Sequence, residues 1–433
     1  MKRRLMRLIG ACLFWMLTSI TAAAQSVVVK VTADHADWVY KTGEKALFSI
    51  LVTKDNKPLE DVTVAYGIGP ERMPPTMKGN LVLKKGSGMI DGGSLKAPGF
   101  LRCVVTVSID GKPYRGLATA AFEPEQIKPT TTMPADFVAF WDKAKADAGR
   151  IPMDAKMTLL PGQCTGTVNV YAVSVQHYRK GSRIYGVLSM PKQAGRYPAV
   201  LKVPGAGVGR YSPDISLSEK GVIVLRIGIH GLPFTLPDSA YKAIANGRLK
   251  GYPLFDHDNR DAYYFKRVFM GCIRSVDFLC SLPQFDGKNL AVAGGSQGGA
   301  LTIATAALDH RVRYMVAYFP GLADLTGYLY GRTGGWPHML KDADKVTQKE
   351  IETSRYYDMA NFARLIKIPG FYSWGFNDET CPPTTAYAVY NTIGAPRELL
   401  IVKESGHQYT PEQRVRMDGW LLEKFVKYKQ EQK

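Results

Sequence analysis

From about residue 26 to residue 125 the chain alternates apolar and polar positions, the period of strands with one face on a core and the other in water. The stretches "VVVKVTA", "ALFSILVT", "VTVAYGI" and "LRCVVTVSID" carry the alternation, and "KDNKP", "KKGSG" and "IDGKP" supply turns between them. No helical period of useful length intervenes, so residues 25–125 are expected to form a small all-β sandwich. "EQIKPTTTMP" then reads as a linker. It leads into "PADFVAFWDKAKAD", a helix with proline at its start and Phe137, Phe140 and Trp141 on one face.

Beyond about residue 165 the pattern changes. "NVYAVSV" and "RIYGVLSM" still alternate, but "YPAVLKVPG", "GVIVLRIGI", "NLAVAGG", "YMVAYFPG", "IPGFYSWG" and "ELLIVKES" are short and almost continuously apolar. Such runs suit strands covered on both faces, as in a parallel sheet. Helical stretches separate several of them. In "RDAYYFKRVFMGCIRSVDFLCSL", Val268, Cys272, Val276 and Leu279 recur at helical spacing. The last helix opens at Thr410-Pro411-Glu412-Gln413, an N-cap threonine with a first-turn proline and a reciprocal capping glutamine. Residues 126–433 are therefore expected to be an α/β unit, a mostly parallel sheet flanked by helices.

One junction in this unit carries chemistry. Strand "NLAVAGG" runs into Gly294-Gly295-Ser296-Gln297-Gly298, a match to G-x-S-x-G, and helix formers follow. In that elbow the serine occupies a tight strand-to-helix turn, and side chains at the flanking positions would collide with neighbouring backbone. The hydroxyl is lifted above the sheet beside a helix N-terminus, which favours developing negative charge. A hydroxyl is a poor nucleophile unless a base, itself oriented by an acid, removes its proton.

In the α/β-hydrolase fold these partners follow the serine in the order acid, then histidine. Three histidines lie beyond Ser296. His310 ends the helix after the elbow and should face away; His338 sits in "GGWPHML", an insertion-like loop that could line a pocket. His407 follows strand "ELLIVKES" in the loop "ESGHQ", where a last strand would deliver a base, and it is the candidate. For the acid, "FYSWGFNDETCPP" is a strand running into a loop, with Asp378 best placed. Glu379 should point elsewhere as a solvated charge, and Glu404 precedes the histidine too closely to orient it. The oxyanion needs two donors. The backbone N–H of Gln297 is one, and the loop "KVPGAGVG" offers the other at Ala206.

The amino terminus adds a destination. Lys2, Arg3, Arg4 and Arg7 precede the apolar "LIGACLFWML", and Ala22-Ala23-Ala24 reads as a cleavage site, so residues 1–24 are expected to be an export signal. The apolar stretch is too short to span a bilayer; a rival reading has Cys12 lipidated. Removing the segment lowers the formal charge from +18 to +14. No nucleic-acid motif accompanies that charge, which reads as a solvated basic exterior. Five cysteines remain, Cys103, Cys164, Cys272, Cys280 and Cys381, an odd number that cannot pair completely. Cys272 and Cys280 share a helix, about 12 Å apart and beyond disulfide reach. No spacing suggests a metal site, and neither a metal nor an organic cofactor is called for.

With these residues in hand, the chain from "PADFVAFW" to its C-terminal helix resembles the acetyl xylan esterase and cephalosporin C deacetylase family of α/β-hydrolases. The resemblance is carried by "GSRIYGVL", "VDFLCSLPQFD", "GGSQGGAL", "YFPGLAD", "NDETCPPTTAYAVYN" and the terminal "GH". It implies removal of acetyl groups from xylan-type oligosaccharides or small acetyl esters, and it places nucleophile, acid and base on Ser296, Asp378 and His407. It also implies a ring-shaped homo-oligomer. Three features depart from the family pattern. Ala206 stands where the oxyanion loop usually carries an aromatic residue, His230-Gly231-Leu232 replaces an Arg-Gly-Gln stretch, and the sandwich is an addition. The expected activity is that of an exported serine esterase acting on acetylated oligo- or polysaccharide. A serine peptidase of the prolyl-oligopeptidase type shares the elbow and the residue order, and a purely carbohydrate-binding protein would let the sandwich act alone.

Overall fold

The computed structural model describes residues 26–431; the readings of a cleaved or lipid-modified leader concern residues outside that span. The amino-terminal part is built from β1 (Val27–Ala33), β2 (Val39–Tyr40), β3 (Leu47–Lys54), β4 (Lys57–Pro58) and β5 (Val62–Pro70). The chain continues through β6 (Met77–Leu83), β7 (Ser87–Asp91), β8 (Gly99–Ile109) and β9 (Lys112–Phe122). One sheet joins β1, β3, β4 and β7; the other has the order β2-β9-β8-β5-β6. Alternation does what the sequence implied: Phe48, Ile50 and Val52 of β3 are buried, as are Cys103, Val105 and Val107 of β8. The expectation named β1, β3, β5 and β8 and missed the short β2, β4 and β7 as well as β6 and β9. Strand β6 is an edge strand with Met77 and Lys78 exposed, and β9 ends in the alanine-rich "LATAAF". Its strand character comes from pairing with β8 along the whole length of both, from Gly99 opposite Phe122 to Ile109 opposite Lys112.

The second part holds a nine-stranded sheet. Its strands are β10 (Lys156–Leu159), β11 (Val168–Gln176), β12 (Arg183–Pro191), β13 (Tyr197–Lys202) and β14 (Ile223–Gly228). They continue with β15 (Phe285–Gly295), β16 (Tyr314–Tyr318), β17 (Gly370–Trp374) and β18 (Arg397–Ile401). The order is β10-β11-β12-β14-β13-β15-β16-β17-β18. Pairs β10–β11, β11–β12 and β12–β14 are antiparallel, and every pair from β14–β13 to β17–β18 is parallel. The alternating stretches therefore form the antiparallel end. The continuously apolar ones form the parallel part, where all five residues of β17 are buried, but β18, from "ELLIVKES", is the edge strand and has none buried. This is an α/β-hydrolase fold preceded by an all-β unit.

The segment read as a linker is docked on the α/β part. Thr130 donates its backbone N–H and its hydroxyl to Asp324 Oδ1 at 2.6 and 2.8 Å, and Asn391 donates to the carbonyl oxygens of Pro124 and Ile127, both at 2.9 Å. Thr131 is buried. A helix follows at Phe137–Gly149, three residues past Pro134, and packs Phe137 and Trp141 on Phe362. Residues linking the two parts thus contribute to one continuous packed core.

In a parallel sheet, ligand-facing groups collect beyond the carboxyl ends of the strands, most readily where the strand order reverses. Strand β13 is such a place, flanked by β14 on one side and β15 on the other. The loops after β13, β15, β17 and β18 all open on that end of the sheet. Among the described residues, no helix is long and apolar enough to cross a membrane.

Candidate active site

Ser296 stands between β15 and the helix Gln297–Leu308 with φ 61° and ψ −128°, a strained conformation for a residue bearing a Cβ. The surroundings hold it there. Its N–H donates to Tyr318 O at 3.0 Å, and its carbonyl accepts from Gly321 N–H at 2.9 Å. The glycines are required by close approach: a Cβ on Gly294 would lie 2.7 Å from Gly298 O, and one on Gly298 would lie 2.6 Å from Val203 O. Helix, strand and the loop after β13 meet at backbone contact, with the hydroxyl raised above them.

His407 Nε2 lies 2.8 Å from Ser296 Oγ, and His407 Nδ1 lies 2.8 Å from Asp378 Oδ2. The three side chains come from the loops after β15, β17 and β18, as the sequence order required. A carboxylate on Nδ1 fixes the tautomer: Nδ1–H donates to Asp378, leaving Nε2 to accept the serine proton. Asp378 is fully buried, and its other oxygen accepts the N–H groups of Thr380 and Cys381, both at 2.8 Å. The buried charge is thereby hydrogen-bonded on both oxygens. Phe319 packs edge-on against the imidazole at 4.8 Å between ring centres.

The loop after β13 lies against the elbow, with Gly205 facing Gly295 and Ser296. Gln297 acts on it through its side chain, which sequence reasoning had not used. Its Nε2 donates to Pro204 O and Gly205 O at 3.3 and 3.1 Å. Its Oε1 accepts the Tyr252 hydroxyl proton at 2.6 Å, and Tyr252 Oη in turn accepts the Gly207 N–H at 3.1 Å. His230 completes the clamp: Nε2–H donates to Gly207 O at 2.9 Å, while Nδ1 accepts from Tyr264 Oη at 2.7 Å. Burial pushes the His230 pKa down to about 4, with Arg267 adding to the fall and the bond to Gly207 opposing it. The ring is neutral at pH 7, so His230-Gly231-Leu232 supplies its own tether where the family pattern has Arg-Gly-Gln. For His230 the available signal was a polar side chain immediately beyond strand "GVIVLRIGI"; for Tyr252 there was none, because it arrives from a turn between two helices.

Ala206 lies on the exposed crest of this loop, between two residues whose backbones are held, and Gln297 opens the helix next to the nucleophile. The other histidines do not enter. His310 lies two residues beyond the elbow helix, on the surface. His338 is tethered on both ring nitrogens: its Nε2 donates to Thr380 O at 3.1 Å, and its Nδ1 lies 3.0 Å from Tyr328 Oη. It ties the loop Gly334–Leu340 to the loop that carries Asp378. Glu379 points away from the imidazole and its side chain stays 41% exposed, as a solvated charge should, but it is paired. Arg115 of β9 grips it with two hydrogen bonds, 2.9 and 2.7 Å. The five cysteines among the described residues are free thiols; Cys103, Cys272 and Cys381 are buried, and burial raises their pKa values to inert levels. Cys164 and Cys280 are partly exposed rather than fully buried.

A sheet of this order, with a serine on a strained elbow hydrogen-bonded to a histidine and through it to a buried aspartate, is that of the α/β-hydrolase class, and the relatives below make this chain a carboxylic-ester hydrolase within it. The chain belongs to the acetyl xylan esterase family, whose sequence profile matches residues 122–424, from the last residue of β9 into the final helix. It is 42% identical over 393 residues to acetyl esterase Axe7A of Xylanibacter ruminicola, a match covering 90% of this chain and 88% of that one, so that it takes in much of the sandwich. Among solved structures, an acetyl xylan esterase from Paenibacillus sp. R4 aligns with a TM-score of 0.61 and 29% identity, over 69% of this chain and 98% of its own. Acetyl xylan esterase 1 from Thermoanaerobacterium sp. shares the fold with a TM-score of 0.61 at 23% identity, over 70% of this chain and 97% of its own.

Proposed function

We propose that this protein is an exported esterase that removes acetyl groups from carbohydrate, with Ser296 as nucleophile, His407 as general base and acid, and Asp378 as its orienting partner. The observation that carries the reading is the unbroken chain of two 2.8 Å hydrogen bonds from Ser296 through His407 to Asp378, on an elbow strained in the way a nucleophile requires. Family membership and the acetyl esterase relative favour an acetylated glycan over other esters.

In this scheme His407 Nε2 takes the Ser296 proton as Oγ attacks the ester carbonyl. The tetrahedral oxyanion forms opposite the backbone N–H groups of Gln297 and Ala206, and loss of one such donor typically costs ~3 kcal/mol of barrier. The imidazolium, stabilised by Asp378, gives its proton to the departing sugar hydroxyl, leaving acetyl on Oγ. Water then attacks that acyl-enzyme, its proton passing to Nε2, and acetate leaves as Oγ recovers the proton. The leader expected at residues 1–24 supports export, in keeping with a polymeric substrate outside the cytoplasm.

The decisive experiment compares acetate release from acetylated xylan, pectin and mannan oligosaccharides by the native protein and by Ser296→Ala. Release from at least one glycan, abolished in the variant, is expected. Hydrolysis of an aminoacyl-proline nitroanilide in preference to p-nitrophenyl acetate would instead establish the peptidase reading. Glycan retention without acetate release would leave a binding protein.

A further inference from the structure

We propose that the β-sandwich is part of the catalytic apparatus, acting through Arg102 as a positioning residue for the acid loop. This rests on the reading of Asp378 as the orienting acid. Arg102 lies on β8, only 4% exposed. Its Nη2 donates to Phe376 O at 3.0 Å and to Asp378 O at 3.1 Å, across the boundary between sandwich and α/β part. The guanidinium therefore holds the carbonyl groups on either side of Asn377 and the backbone of the acid itself.

The rest of the sandwich edge grips the same four residues. Thr119 on β9 accepts from Arg102 Nε at 2.9 Å and donates its hydroxyl to Asn377 Oδ1 at 3.0 Å. Asn377 Nδ2 donates to Leu117 O at 3.3 Å, Arg115 binds the Glu379 carboxylate, and Arg72 binds the Glu379 carbonyl. Phe100 packs edge-on against Phe376 at 5.2 Å. From the opposite side, Phe376 and Asn377 donate their N–H groups to Lys403 O and Ser405 O in the loop leading to His407. Residues 376–379 are thus clamped between the strands of the sandwich and the loop that carries the base.

The arrangement differs from ordinary packing between two bodies. A buried ion pair contributes little net stability, and an apolar contact of equal volume commonly does as well. Here Glu71, 2% exposed, lies 3.3 Å from Arg102 Nη2, and its other oxygen accepts Thr384 N–H at 2.8 Å. Of the guanidinium nitrogens, Nη2 donates to the two carbonyl groups that set the Asp378 backbone, Nε donates to Thr119, and Nη1 makes no hydrogen bond. A displacement of about 1 Å at a reacting group can lower a rate of the order of 100-fold.

The test is a double-mutant cycle between Arg102→Lys and Asp378→Asn, with kcat and KM on p-nitrophenyl acetate and near-ultraviolet circular dichroism to confirm folding. Arg102→Lys keeps a charge beside Glu71 but removes the Nε–H that Thr119 accepts and ends short of the Nη2 position from which both carbonyl oxygens are bound. It is expected to lower kcat of the order of 100-fold, with KM little changed. In the Asp378→Asn background the same change should alter kcat less than about twofold. An equal loss in both backgrounds, or no loss in the native one, overturns the proposal. Full activity in Asp378→Asn alone overturns the triad reading instead. If Arg102→Lys does not fold, Thr119→Val carries the same cycle, with a smaller loss expected in the native background and none beside Asp378→Asn.

Discussion

The Gln297 side-chain amide and the Gly205 carbonyl oxygen are hydrogen-bonded at 3.1 Å, so the residue that follows the nucleophile also fixes the loop facing it. In the proposed mechanism one amino acid thereby offers a backbone donor to the oxyanion and sets the height of the loop that offers the second. Substituting alanine removes only the second function, since the N–H survives. Gln297→Ala is expected to lower kcat about 10- to 100-fold with a smaller change in KM. Gln297→Glu should be at least as damaging, because a carboxylate would face the Pro204 and Gly205 carbonyl groups that the amide now satisfies. Steady-state kinetics on p-nitrophenyl acetate would check both; a native kcat in Gln297→Ala would mean that the loop is held without it.

The elbow makes a structural prediction as well. A methyl group on Gly298 would sit 2.6 Å from Val203 O and 3.1 Å from Pro204 O, both backbone atoms that cannot step aside as a flexible side chain could. Gly298→Ala is expected to destabilise the fold by about 1–3 kcal/mol, the range of overpacked interiors, and to lower activity through the displaced loop. A urea unfolding curve with an unchanged midpoint would contradict that.

How much of this was legible in advance follows from which interactions are local. The elbow announces itself because five consecutive residues must satisfy one strained turn, and His407 and Asp378 because chain order and strand ends place them. The continuous apolar runs gave the parallel strands for the same reason: burial on both faces is written in each strand's own residues. Tyr252, Arg102 and the Gln297 side chain were out of reach, since each acts on a loop far away in sequence and nothing beside it records the partner. Arg102 left one faint trace, a charge set between Leu101 and Cys103 in an otherwise apolar strand. The partner of Glu379 was hidden for the same reason, because Arg115 arrives from another part of the chain. The docked linker looked like a spacer because threonine and proline are loop formers whether or not a surface receives them.

Thr410 offers a contrast between stability and catalysis. It lies three residues past His407 and caps the final helix reciprocally: Gln413 N–H donates to its hydroxyl at 3.2 Å, and its own N–H donates to Gln413 Oε1 at 2.8 Å. Neither bond touches the reacting groups. Thr410→Ala is expected to cost about 1 kcal/mol of unfolding free energy while kcat stays native. A fall in kcat without a fall in melting temperature would show that the cap governs the base loop rather than the helix.

The His230 clamp predicts how the fold responds to acid. In the folded protein burial lowers its pKa to about 4, whereas an unfolded chain presents a histidine that titrates near 6.5. Between those values the unfolded state binds the proton and the folded state does not, so stability must rise with pH across that window. The contribution is fully present above about 6.5 and is lost progressively as pH falls toward 4. His177, lowered to about 3, and His338, lowered to about 4, add slopes of the same sign, each chiefly through burial. Glu71 works in the opposite direction: burial raises its pKa to about 7 against the pull of Arg102, so its folded carboxyl holds a proton that the unfolded one has released. Because total stability sums these opposing terms, the single group is best read by difference. His230→Gln retains an amide donor for Gly207 O but cannot titrate. Relative to this variant, the native protein should lose unfolding free energy steadily from pH 6.5 to pH 4, in urea titrations run at half-unit intervals. A difference that does not vary with pH would mean that His230 is already as free to take up a proton in the fold as outside it.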